Sequence, residues 1–280
     1  GKVISGFGGF VERLEMNLTD PAPTLPEAER STPGHPHPIL SDLRVRHALA
    51  LAIDRAALVD VDYGPAGRPT CSLIPPPDPA AGDCPRPSLK EARALLEEAG
   101  WTDSDGDGIR DRKGKRLRLV FLSSVNAVRQ DVQGLIKGWW AQIGVDTEIR
   151  TIDGGVLFGG DPASPDTLQR FPGDVVLYAD SQDGTDPEPY LARYACAKAP
   201  RPETGWRGEN ISRFCDPAFD ALIEELGKTG KPERRAEIVR KMNDMLTRTT
   251  DVIVPLVDRG RLSAQALTLG GMAMNTWDSE

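Results

Sequence analysis

Apolar positions along the chain fall into alternating runs and helical runs, with loops rich in Pro and Gly between them. Residues 8–18 roughly alternate. Phe10, Leu14, Met16 and Leu18 share one face and Glu12 interrupts it, which predicts a single exposed or bridging strand. A Pro-rich stretch follows over 19–41. Ser41 and Asp42 then open a helix in which Val45, Ala48, Leu49, Ala52, Ile53, Ala56, Ala57 and Leu58 are apolar nearly all round, so it should be well buried. Ser88 to Glu91 reads as a capping box, followed by a helix that buries Ala92, Leu95, Leu96 and Ala99 and stops at Gly100. A strand over 116–123, a helix from the Asn126 cap to Gly144 and a strand over 145–152 predict a right-handed parallel crossover. A third strand is predicted over 174–179. Asp216-Pro217 starts a helix through Phe219, Leu222, Ile223 and Leu226, and Pro232 starts the last long one. Residues 252–258 and 261–267 read as two closing strands, with Pro255 placing the first at an edge or crossover. The order predicts an α/β fold with a mixed sheet flanked by helices.

Composition narrows the class. The chain has 280 residues, enough for one large domain or two ordinary ones, and 39% hydrophobic with 27% charged residues marks it as globular. Thirty-four basic against 42 acidic side chains give a net charge of −8, which argues against a nucleic-acid partner. No run reaches the ~18 apolar residues of a membrane span. No apolar signal core follows Gly1, which leaves a processed or truncated chain or a cytosolic one.

The cysteines form two local pairs, Cys71 with Cys84 and Cys196 with Cys215, neither at the spacing of a zinc or redox motif. Two loop-closing disulfides fit best, each stabilising by about 3 kcal/mol if unstrained. Four free buried thiols are the alternative. Disulfides would imply an oxidising compartment.

The sharpest local motif is Asp103-Ser104-Asp105-Gly106-Asp107-Gly108-Ile109-Arg110-Asp111. Asp103, Asp105, Asp107 and Asp111 match the first part of a calcium loop, but Gly114 stands where the closing Glu belongs. The competing reading is a plain Asp/Gly turn. No nucleophile elbow or His-Glu-x-x-His motif is present, and His47 has no nucleophile in sequence reach, so no enzyme is expected. Glu97/Glu98 and Glu224/Glu225 read as solvated helix surface. The segment from Tyr178 to Tyr190 lies just past a predicted buried strand, where open α/β sheets bind ligands. Its Asp180, Asp183 and Asp186 carboxylates and two Tyr rings suit a cation with an apolar group, and a simple loop is the alternative.

Taken together, the motifs resemble those of the family 5 extracellular solute-binding proteins, the dipeptide, oligopeptide and nickel receptors of ABC importers. Asp42 to Arg55 is similar to the family's D-x-R-V-R-x-A helix ending in A-I-D-R. Leu89 to Trp101, the Asp103–Asp111 loop, Trp139 to Val145, Asp186-Pro187 with Tyr190, Cys215 to Leu222, and Val254-Pro255-Leu256 resemble further family segments in the same order. The likeness runs from about Phe10 to Trp277. Family members are longer and two-lobed. The resemblance therefore implies one lobe of the periplasmic-binding-protein type II kind: residues 1–41 a hinge strand and linker, 42–251 the ligand-binding lobe, and 252–280 truncated return hinge strands.

It also implies capture, without transformation, of a peptide-like or other small solute such as a metal chelate, opine or oligosaccharide. The implied partner is an ABC permease, with a monomeric receptor in the periplasm or outside the cell, membrane-associated in the full-length protein, and no cofactor. In such receptors an Asp at the strand end pairs with the ligand's α-ammonium group. Asp180 matches it, with Asp183 or Asp186 as substitutes. Tyr178 occupies an aromatic position, and Trp206, from the Cys196–Cys215 loop, would line the cleft. The competing class is a calcium-stabilised extracellular module without a transport role.

Overall fold

The structure, a computed structural model, describes residues 1–74, 84–161, 164–182 and 184–271. In chain order the strands are β1 (Lys2–Met16), β2 (Gly67–Pro69), β3 (Asp111–Arg112), β4 (Lys115–Arg116), β5 (Arg118–Ser124), β6 (Asp146–Ile152), β7 (Val175–Ser181) and β8 (Ile253–Gln265). The α-helices are α1 (Leu43–Leu51), α2 (Arg55–Leu58), α3 (Leu89–Glu98), α4 (Ala127–Gln142), α5 (Gly154–Leu157), α6 (Glu188–Ala192), α7 (Pro217–Lys228) and α8 (Pro232–Asp244). The sheet is mixed, as the pattern predicted, and its strand order is β2-β8-β1-β7-β5-β6. β5 runs parallel to β6 and β7, and β1 runs antiparallel to β7 and β8.

Alternation along the strands sends side chains to two faces. Leu14, Met16, Leu119, Phe121, Val175, Leu177, Val254 and Leu256 pack against α1, α3 and α4, where Trp140 meets Phe121 at 5.3 Å between ring centroids. On the other face, Leu122, Val176 and Tyr178 pack with Phe171 and Ile211. Ile253 joins the aromatic cluster of α6, α7 and α8, which includes Tyr190, Tyr194 and Phe219. Side-chain caps start the helices where the sequence placed them: Asp42, Ser88, Asn126 and Asp216 each accept a backbone N–H of the first turn.

Three expectations about elements change. β1 is longer than the alternation suggested, and its inner half is buried. It begins at Lys2, lies between β7 and β8, and buries Val11, Leu14 and Met16. The two closing strands are one, β8, and Pro255 sits opposite Arg13 at a register shift, where a missing N–H is tolerated. The long helix from Asp42 breaks after Leu51 and restarts when the Asp54 side chain caps α2 by accepting the Ala57 N–H. The carbonyls freed near the break have tertiary partners. Leu51 O accepts the Ser88 N–H, and Leu49 O accepts the Trp140 indole N–H.

Both cysteine pairs are disulfides, Cys71–Cys84 and Cys196–Cys215, so the free-thiol alternative is removed. One buried amide fastens distant segments. Asn17 Nδ2 lies within bonding distance of Ser31 Oγ and the carbonyls of Phe171 and Gly173, while its Oδ1 accepts from Thr19 N and Oγ1.

Candidate ligand-binding rim

The C-terminal ends of the parallel strands β5 and β7 meet the outer half of β1, and two adjacent β1 residues place charge there. Arg13 faces the α6 side of the sheet. Its Nη2 donates to Tyr178 Oη and to Asp180 Oδ2, both at 2.8 Å, and its Nη1 donates to Tyr190 Oη. The guanidinium lies 4.8 Å from the Tyr178 ring centroid, a cation–π distance. Tyr178 in turn donates to Glu15 Oε2 at 2.7 Å. Asp180 accepts the Ser181 N–H on its other oxygen and meets Arg193 at 3.4 Å. Burial opposes the charge on Arg13, yet Tyr178, Tyr190, Tyr194 and Asp180 outweigh it and hold its pKa well above the usual value. Burial pushes the Glu15 carboxyl up, an effect Arg13 and the Tyr178 hydroxyl partly reverse.

Glu12 projects to the opposite face. Its Oε1 accepts from Arg129 Nε at 2.7 Å and its Oε2 from Arg259 Nη1 at 3.1 Å, so one buried carboxylate sits between two guanidiniums. Arg129 also donates to Ser124 Oγ at 2.8 Å, tying the first turn of α4 to the end of β5. Phe10, Val125, Val128, Val156 and Phe158 are exposed near these strand ends, and Phe158 stands 6.4 Å from the Tyr178 ring. The rim thus offers a half-exposed carboxylate beside an apolar, partly aromatic surface.

Of the residues singled out in the sequence, Tyr178 and Asp180 come together here. Tyr178 serves mainly as an internal link between Arg13 and Glu15. Asp183 lies outside the described residues. Asp186 accepts the Glu188 N–H at the start of α6 and pairs with Arg235 of α8 at 2.8 and 2.9 Å. Trp206 is not at the rim. It packs under Arg170 on the wall of a cavity at the other end of β7, which Asp174 also lines. Six residues of strand separate Asp174 from Asp180, roughly 20 Å. Glu12, Arg13, Arg129, Arg193 and Arg259 were missed. Their one signal was the Glu12-Arg13 pair, with Glu15, inside an otherwise apolar strand.

Residues 2–200 match the model of the bacterial extracellular solute-binding proteins, family 5, middle region. The chain belongs to this family. It is 25% identical over 218 residues to the Pseudomonas aeruginosa (strain UCBPP-PA14) di/tripeptide-binding protein 3, a match that takes in 75% of this chain and 36% of that protein. The oligopeptide binding protein of Thermus thermophilus, solved with a pentapeptide, superposes with a TM-score of 0.75 at 22% identity, covering 93% of this chain and 43% of that one. NikZ of Campylobacter jejuni, solved with Ni(L-His), gives a TM-score of 0.73 at 18% identity, covering 93% and 47%. The matched part covers less than half of each of these longer proteins, and the chain has the fold of one lobe of a type II periplasmic binding protein. Among the described residues no helix is long and apolar enough to cross a membrane.

The remaining sequence candidates have local partners. Asp103, Asp105 and Asp107 can bring one carboxylate oxygen each within 4.8 Å of the others, all of them exposed. Asp103 accepts the Gly106 and Gly108 N–H groups, Asp107 pairs with Arg116 at 2.6 Å, and Asp111 turns to Ser104. These contacts describe the folded turn joining α3 to the β3–β4 hairpin. His47 bonds Asp251 at 2.7 Å, which raises its pKa.

Proposed function

We propose that this chain is a ligand-binding lobe of the substrate-binding component of an ABC importer, which captures a peptide-like solute against the C-terminal ends of β5 and β7 and does not transform it. Family membership supports the class of protein. The observation that carries the site is Asp180, a carboxylate at the end of β7 that is half-open to solvent, fixed on its inner side by Arg13 and flanked by exposed apolar side chains. A ligand ammonium approaching from solvent displaces the longer Arg193 contact and leaves the shorter Arg13 one in place. Phe10, Val125 and Phe158 then border an apolar side chain of the ligand. The family assignment supports a permease partner and a periplasmic or extracellular setting, and the two disulfides fit an oxidising compartment.

One lobe supplies one wall of contacts, so binding by this chain is expected to be weak. The test is amide shift mapping by NMR during titration with a di- or tripeptide. Shifts should cluster at Ser124, Gly154 and Ser181 with a millimolar Kd, and Asp180→Asn should abolish them in a chain that still folds. Shifts centred away from these strand ends, or micromolar binding untouched by Asp180→Asn, would overturn the reading.

A further inference from the structure

We propose that the cavity at the opposite end of β7 is a second binding site, for an aromatic carboxylate. The cavity has a volume of about 660 Å³, within the range of small-molecule sites. It lies between the segment that follows β1, the N-terminal half of β5, the middle of β6, and the segment that leads into β7. Pro21, Pro23, Pro172, Val120 and Trp206 give it apolar walls of fixed shape, suited to the flat face of a ring.

Backbone strain is concentrated here. Among the described residues six that are not glycine have positive φ, and three of these, Ser31 (52°), Phe171 (43°) and Trp206 (61°), line or directly back the cavity. A fourth, Arg213 (56°), reaches across to the Gln169 carbonyl of the same segment. Such conformations persist where surrounding structure enforces them, and they collect at ligand clamps. Here the enforcing structure is the Asn17 amide with Ser31 Oγ and the Phe171 carbonyl.

The polar groups say what the ring should carry. Five carboxylates line the cavity, and each has a partner: Asp20 accepts the Ala22 N–H and Glu27 pairs with Arg170. Asp174 accepts from His37 Nε2 and from the Val120 N–H, Asp166 pairs with Arg150, and Glu148 pairs with Arg118. His37 Nδ1 accepts the Ile39 and Leu40 N–H groups, so its other nitrogen is the one that donates to Asp174. Two guanidiniums retain capacity. Arg170 stacks over Trp206 at 4.2 Å and pairs with Glu27 through Nη2, but its buried Nε has no acceptor. Arg30 is held only by the carbonyls of Pro23 and Leu25, with no carboxylate partner among the described residues. Both guanidiniums line the cavity and are donors of positive charge, so the complement is an anionic acceptor, and the walls select a ring to hold it.

The test uses sodium benzoate as probe, with binding to the chain followed by saturation-transfer NMR and calorimetry. Benzoate should bind saturably and more tightly than cyclohexanecarboxylate, which has the charge without the π face. Arg170→Gln and Arg30→Gln should each weaken binding by about tenfold or more. Asp180→Asn should leave it unchanged, which separates this site from the rim. Among the described residues Arg30 bonds only the nearby Pro23 and Leu25 carbonyls, so Arg30→Gln carries the test if Arg170→Gln does not fold. Absence of saturable benzoate binding, equal binding by folded arginine variants, or loss of binding in Asp180→Asn would each overturn the proposal.

Discussion

Glu12 and Arg13 are neighbours in one strand, each almost wholly buried, and they have opposite surroundings. Glu12 is 1% exposed, but Arg259, one of its two partners, is 42% exposed at the side chain. Its charge is thereby connected to water through a side chain that can relax. Arg13 is also 1% exposed, and its partners Glu15, Tyr178 and Tyr190 are buried as well. Only Asp180, at 27%, reaches solvent. The difference teaches that the cost of a buried charge is set less by its own depth than by whether its partners can follow it to the surface when one of them is removed.

Three changes break or sharpen this comparison. The largest effect is expected from Arg13→Met. It strands Glu15 without its nearby cation and takes from Asp180 its shorter guanidinium contact, and should destabilise by about 3–5 kcal/mol in urea unfolding. Glu12→Gln removes the charge on the other face but leaves two guanidiniums that can hydrate, so about 1–2 kcal/mol is expected in the same measurement. Equal losses for the two would refute the distinction.

The smallest effect concerns His47, which is outside both clusters and calibrates them as a half-exposed pair. Its pKa is raised by the hydrogen bond to Asp251, so its contribution is complete below the unfolded value of about 6.5 and is lost as pH rises through the folded value. At its exposure that contribution is about 0.5 kcal/mol at most. His47→Gln should flatten the fall in melting temperature between pH 6 and 8, and an unchanged slope would show that the pair is not titrating there.

Elements whose evidence is local were legible in the sequence. α3, α4 and α7 combine a side-chain cap with a helical stripe, and β5–α4–β6 shows the switch of period from two to 3.6 and back. The cysteine pairs closed as their spacing suggested. The break between α1 and α2 was hidden because Ala52 and Ile53 keep the apolar pattern while Asp54 caps a new turn. β8 looked like two strands because the apolar run stops at Asp258, although backbone pairing with β1 continues through Gln265. The position of Asp180 at the end of a strand was legible. What holds it was not, because Arg13 lies 167 residues away and an antiparallel register brings the two together. Trp206 failed for the same reason in reverse: proximity in sequence to a cysteine loop says nothing about which end of a strand that loop covers.

The Asn17 amide touches backbone or side chain at Thr19, Ser31, Phe171 and Gly173. Segments separated by some 140 residues of chain are therefore released from one fastening. In hydrogen–deuterium exchange their amides would open in concert rather than as independent loops, and the free energy of that shared opening would measure the strength of a single side chain.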